Sequence, residues 1–103
     1  MLITTTEKIN GRECESLGIV RGSTVQTVNA IRDIGAGLKT LVGGELTKYN
    51  EMMDNARRIA TERMMADAQA VGADAVVGVR YTTSSIMQGA AEVLAYGTAV
   101  RFL

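Results

Sequence analysis

The chain has 103 residues and a mass of 11.0 kDa, which is one domain, 1–103, around a single core. Eleven Lys+Arg cancel eleven Asp+Glu, and there is no His, no Pro, no Trp and one Cys. The neutral balance gives no net field for nucleic acid or an anionic membrane. Without His there is no Ser-His or Cys-His nucleophile pair and no imidazole metal site within the chain, and a lone Cys forms neither an internal disulfide nor a Cys-rich zinc site.

Residues 2–6 are apolar and β-branched, which predicts a short strand. Asn10-Gly11 is the dipeptide of a two-residue hairpin turn, so a second extended segment is expected from about Arg12 to Gln26. Gly18 and Gly22 inside that segment predict a bulge, a bend or a close backbone approach. From Asn29 the apolar spacing turns helical, with Ile31, Ile34, Leu38 and Leu41 three and four apart. Asn29 and Gly43 stand where an N-cap and a C-terminal glycine belong, so a short helix is expected over 29–42.

The strongest pattern comes next. Leu46, Tyr49, Met53, Ala56, Ala60, Met64, Ala68 and Val71 form one apolar stripe that ends at Gly72. Asp54–Arg58, Arg58–Glu62 and Arg63–Asp67 are opposite charges four apart, as on a solvated helix face. Two strands follow, about 74–86 and 90–103, joined through Met87-Gln88-Gly89. In the last strand Ala91, Val93, Ala95, Gly97 and Ala99 make a small-residue face that suits a closely packed helix. Leu94, Tyr96, Val100 and Phe102 make a second apolar face. The expected fold class is therefore α+β, an antiparallel sheet with one long and one short helix. A sheet apolar on both faces needs cover on both, and the helices serve only one. The expectation is a homo-oligomer closed by cyclic symmetry, with other subunits on the second face; the alternative is a monomer in which the short 29–42 helix crosses to that face.

The start of the chain lacks the basic and apolar regions of a signal peptide, and no window approaches the roughly 20 apolar residues of a membrane span. The expected location is cytoplasmic, with no membrane and no nucleic acid among the partners.

Several runs carry a family resemblance. They are Thr4-Thr5-Thr6, Gly18-Ile19-Val20-Arg21-Gly22, Arg32-Asp33-Ile34 with Ala36-Gly37, and Gly43-Gly44-Glu45-Leu46 with Tyr49. Ala56-Arg57, Ala60 and Arg63-Met64 follow, then Gly72-Ala73-Asp74-Ala75-Val76-Val77 with Val79-Arg80-Tyr81. The series ends on Glu92-Val93 and Ala95-Tyr96-Gly97-Thr98-Ala99-Val100. In this order, over essentially the whole chain, they resemble the YbjQ-like family of uncharacterised small bacterial and archaeal proteins. The resemblance implies a dodecin-subunit-like α+β subunit that assembles into a ring, a pentamer. It also brings the family's label, heavy-metal-binding.

The residues argue against that label. Cys14 stands alone between Glu13 and Glu15, there is no CxxC, and flanking carboxylates do not favour a thiolate. Burial as a small hydrophobe is the simpler role for Cys14, although a ring could gather one Cys14 per subunit about its axis. Met52, Met53, Met64 and Met65 fall on the long helix, where packing accounts for them better than copper(I). No metal ligand and no cofactor is assigned. Gly35-Ala36-Gly37 with Gly43-Gly44 matches neither GxGxxG nor Walker A and reads as helix punctuation. Arg32, Asp33, Glu45, Tyr49, Arg80 and Glu92 are the polar residues of the family-like runs. An intersubunit salt-bridge network explains them better than acid–base chemistry. The hydroxyls of Tyr81-Thr82-Thr83-Ser84-Ser85 have no base to activate them, so no catalytic residue is assigned. The leading reading is a non-enzymatic ring-forming assembly or small-ligand-binding protein. The alternatives are a metal-binding module and an enzyme with a composite site built from Arg32, Asp33, Glu45 or Glu92 at a subunit interface.

Overall fold

The computed structural model describes residues 1–27 and 44–103. Their elements run β1 (Leu2–Ile3), β2 (Cys14–Thr27), α1 (Gly44–Ala70), β3 (Ala75–Met87) and β4 (Ala90–Phe102). The four strands form one sheet in the order β1-β3-β4-β2. β3 and β4 make an antiparallel hairpin turned through Gln88-Gly89, and β2 pairs antiparallel with the other side of β4. The fold is α+β as expected. The short helix expected over 29–42 lies outside the described residues.

One strand departs from the expectation. β1 is parallel to β3, with Leu2 opposite Ala75 and Ile3 opposite Val76, so the sheet is mixed rather than wholly antiparallel. Asn10-Gly11 does form a tight turn, with the Arg12 N–H donating to the Ile9 carbonyl at 3.2 Å. Its flanks, however, never pair as a hairpin. The chain after β1 stays on β3 instead: the Thr4 N–H donates to the Val76 carbonyl at 2.9 Å, and Gly78 N–H to the Thr6 carbonyl at 2.8 Å. The turn dipeptide specifies the local bend; strand partners are decided by burial, and the core side of β3 is the more apolar.

α1 spans 27 residues, about 40 Å at 1.5 Å per residue. It ends as the sequence implies. Gly72 takes a left-handed φ of 78°, its N–H reaches the Gln69 carbonyl at 3.0 Å, and Ala73 N–H reaches the Ala68 carbonyl at 3.0 Å. These are the two bonds of a Schellman cap. The stripe Met53, Ala56, Ala60, Met64 and Ala68 is buried against Val20, Val76, Val93, Ala95 and Ala99. Leu46 and Val71, at the two ends of the stripe, remain exposed. Gly22 is the point of closest approach. A Cβ there would stand 2.2 Å from the Met64 backbone nitrogen and 2.3 Å from the Ala60 carbonyl oxygen. The expected close approach at Gly22 is real, and the expected bulge falls at the register shift between Ser16 and Gly18.

The polar face of α1 follows the i,i+4 scheme only in part. Arg58 pairs with Glu62 at 3.0 Å, but Asp54 pairs with Arg57 at 2.9 Å. Arg58 turns its other nitrogen to the Asn55 amide oxygen at 2.6 Å. Arg63 and Asp67 do not pair with each other. Arg63 donates to the Ser23 carbonyl at 2.7 Å, and Asp67 accepts from the Arg21 backbone N–H at 3.1 Å. Both side chains close the outer edge of β2, whose main-chain groups have no neighbouring strand there.

The second face of the sheet is half covered by the chain itself. Ala75, Val77 and Val100 form a second buried cluster with Ile9, Cys14 and Phe102 packed against it. The coil before β2 forms the lid: the Arg12 guanidinium stacks 4.4 Å from the Phe102 ring centre, and Leu103 N–H donates to the Glu13 carbonyl at 3.0 Å. The expectation that the chain has nothing to spare for this face is corrected to that extent. Periodicity does not register such a coil, because its one anchoring apolar residue is Ile9. Beyond it, among the described residues, Ile19 is 81%, Val25 53% and Tyr96 39% exposed. The chain is elongated, with a radius of gyration of 16.7 Å against about 13 Å for a compact domain of 100 residues.

A candidate site at the hairpin end of the sheet

α1 lies mainly over β2 and β4, so the helix-side face of β3 is left free toward the hairpin turn. A cleft of about 380 Å³ opens there, within the size range of small-molecule pockets. Tyr49 and Met53 reach it from the first half of α1; Thr83, Ser85 and Met87 line it from β3, and Ala91 from β4. Alternation along β3 explains the β3 contribution, since Thr83 and Ser85 share the face of Tyr81. The Tyr81 and Thr61 hydroxyls lie 2.7 Å apart and tie that face to the helix just beyond the cleft.

The lining combines neutral hydroxyls with thioether and methyl groups. No Lys, Arg, Asp or Glu lines the cleft among the described residues. A hydroxyl without a neighbouring base is a hydrogen-bonding group rather than a nucleophile. The hydroxyls can orient a bound group through hydrogen bonds. Tyr49 and the hydroxyl run of β3, singled out separately in the sequence, are thus brought together.

The other polar residues are not. Arg80 donates to the Thr5 carbonyl at 3.0 Å and to its neighbour's carbonyl, Val79, at 2.9 Å, so it clips the coil after β1 onto β3. Glu92 stands opposite Ser84, whereas Arg80 stands opposite Tyr96, and the two charges are four residues apart along the sheet. Arg32 and Asp33 lie outside the described residues, and of Glu45 only the backbone, in the first turn of α1, is described. No composite Arg–carboxylate site forms among the described side chains of one subunit.

Cys14 packs beside Phe102 in the second cluster, as a small hydrophobe does. It also borders a recess of about 220 Å³ with Glu7 and Glu13. No three Cys, Asp or Glu side chains converge as a metal-binding group among the described residues. Neighbouring Glu15 is committed to Arg101 across the β2–β4 pair. Its hydrogen bond and charge raise the Arg101 guanidinium above its already high ordinary value. Met52, Met53 and Met64 are buried and Met65 is half-buried, which fits packing, with Met53 alone of these reaching the cleft. The donors present do not fit a soft metal.

Fold and site together define a class: a small α+β chain whose described residues seat one helix on a four-stranded sheet, with a hydroxyl-lined cleft at the hairpin end. The comparisons with known proteins give the family. The YbjQ family model, described as "Putative heavy-metal-binding", matches residues 1–103, and the chain belongs to that family. It is 56% identical to a UPF0145 protein of Clostridium novyi over 103 residues, covering 100% of both chains. A UPF0145 protein of Thermotoga maritima is 57% identical over 102 residues, 98% of this chain and 96% of the relative. Among solved structures, a protein of unknown function in the DUF74 family from Pediococcus pentosaceus superposes with a TM-score of 0.68 at 20% identity. It covers 100% of this chain and 98% of that one. That likeness shows the fold.

No helix among the described residues is long and apolar enough to cross a membrane. Sequence reasoning missed three features: the cleft, the coil over the second cluster, and the closing of the β2 edge by Asp67 and Arg63. The signal for the last was present but ambiguous, because residues four apart on a helix that could pair with each other can also reach a strand edge side by side.

Proposed function

We propose that the protein is a cytoplasmic homo-oligomeric ring, the pentamer that the family resemblance implies, acting as an assembly or small-ligand-binding protein rather than as an enzyme. The observation that carries the reading is the open half of the second sheet face. Ile19, Val25 and Tyr96 stand in solvent there, while the other half of the same face is lidded by the chain's own coil. Apolar side chains placed together on an uncovered sheet face mark a contact surface, and the elongated subunit has the shape of a part rather than of a finished globule. The cleft between Tyr49 and Thr83 supports binding over catalysis, since its described lining contributes hydroxyls and no Lys, Arg, Asp or Glu.

Native mass spectrometry with multi-angle light scattering tests this. The expected particle has five times the subunit mass of 11.0 kDa. A well-folded monomer at micromolar concentration refutes the ring. The same spectrum tests the ligand side: a bound organic molecule supports the cleft, and a stoichiometric metal per subunit or per ring overturns it in favour of the metal-binding reading.

A further inference from the structure

Three kinds of group meet in the cleft at the hairpin end. Half-buried Tyr49 brings an aromatic ring from α1. Buried Met53 and Ala91 give it thioether and methyl surface. β3 adds the hydroxyls of Thr83 and Ser85, which share one face because side chains alternate along a strand, about 7 Å apart at two residues' rise. Two residues earlier on that face, the Tyr81 hydroxyl is engaged by Thr61 at 2.7 Å. Among the described residues, the Thr83 and Ser85 hydroxyls bond to no other group of the chain, and both residues are exposed.

A hydroxyl donates one hydrogen bond and accepts two, so this pair answers a ligand that carries hydroxyls of its own. An aromatic ring and a thioether answer C–H surface instead. A purely apolar ligand would strip water from both hydroxyls and return no bond, which costs binding energy. A ligand polar on every side would leave Tyr49 and Met53 unused, and the described lining offers no Lys, Arg, Asp or Glu to pair with a charge. Pyranose sugars join the two properties, with C–H groups on a ring face and hydroxyls around the rim. The volume of about 380 Å³ lies toward the small end of the usual range for ligand pockets, about 300–1,000 Å³, and suits a single ring. We infer that the cleft binds an uncharged pyranose sugar, its C–H face against the Tyr49 ring and its rim hydroxyls bonded to Thr83 and Ser85. The inference rests on the small-ligand reading above and names the class of ligand.

The methionines make the test direct, because isotope labelling of their ε-methyl groups gives each one an NMR signal in the full-length protein. D-glucose, D-galactose, D-mannose and D-xylose are titrated into the wild type, beside D-glucuronate and adenine. The expected result is a saturable shift of the Met53 and Met87 signals, which report from the cleft, with at least one sugar and a midpoint in the millimolar range. Met64, buried under the middle of α1, should not move. Thr83→Val and Ser85→Ala should each raise that midpoint about three- to tenfold, the worth of one uncharged hydrogen bond. Thr82→Val, on the other face of β3, should leave it unchanged, and far-UV circular dichroism checks that each variant folds. A response to glucuronate or adenine with none to the sugars overturns the sugar assignment and leaves the small-ligand reading standing. A sugar shift that neither Thr83→Val nor Ser85→Ala weakens also overturns the inference. So does silence at Met53 and Met87 with every probe, and the native mass spectrum then decides the small-ligand reading separately.

Discussion

Replacing Gly22 by Ala tests the way the helix is seated. The added Cβ would stand 2.2 Å from the Met64 nitrogen, 2.3 Å from the Ala60 oxygen and 2.7 Å from the Arg63 carbonyl carbon, all backbone atoms. None can rotate aside, and ordinary contact between such atoms is about 3.5 Å. The middle of α1 must therefore lift by about 1 Å. That loosens Ala60 and Met64 from Val20 and stretches the bonds from Arg63 to Ser23 and from Arg21 to Asp67. Overpacking a tight contact costs about 1–3 kcal/mol, and each weakened hydrogen bond adds about 1 kcal/mol. The expected loss is about 3–5 kcal/mol, a large share of the roughly 5–15 kcal/mol that holds a domain together. Urea unfolding followed by circular dichroism, at fixed protein concentration because assembly shifts apparent stability, measures it. Gly44→Ala is the control: its Cβ meets nothing within 4 Å and it lies in the first turn of α1, so stability should hold or rise slightly. A Gly22→Ala loss below about 1 kcal/mol would refute the seating of α1 on the β2 backbone.

Asp67→Ala and Arg63→Ala should each cost about 1 kcal/mol, with a coupling energy near zero in a double-mutant cycle, because each side chain bonds β2 rather than the other; a coupling above about 0.5 kcal/mol would restore the helix ion pair. Gly72→Ala should cost about 1 kcal/mol through its left-handed backbone at the helix cap, read as a lower urea midpoint at constant slope. Cys14→Ala removes a half-buried thiol packed with Phe102; it should cost about 1 kcal/mol and leave particle mass and metal content unchanged, and loss of a bound metal in this variant would revive the thiolate site.

What the sequence made legible was whatever periodicity encodes. The long helix, its glycine stop, the small-residue face of β4 and the bulge near Gly18 follow from spacing alone, since burial on one face imposes those periods. Leu2–Ile3 shows the limit. A two-residue strand has no period, and Asn10-Gly11 suggested a hairpin because turn propensity is local while the choice between β2 and β3 as partner is made by the core. The same limit hid the coil lid, which depends on Ile9, and the double use of Arg63 and Asp67, which depends on how far the helix leans over β2. Tyr49 was noticed as a polar residue of a family-like run, and Thr83 and Ser85 as strand hydroxyls. That they meet in one cleft depends on the lateral position of α1, which no spacing records.

The two ends of the sheet have been treated differently by the same chain. At the end near Cys14 and Phe102, β1 closes an edge, the coil covers part of a face, and Glu15 holds Arg101 across the strands. Toward the hairpin end the cleft beside Tyr49 is open among the described residues and Val25 is 53% exposed. The composition agrees with the division of labour. A neutral chain without His carries no imidazole, and the described lining of the cleft offers hydroxyls, thioethers and main-chain groups, the chemistry of contact and binding. On the ring reading proposed above, a substitution that separates the subunits should abolish ligand binding at the cleft even when Tyr49 and Thr83 themselves are untouched.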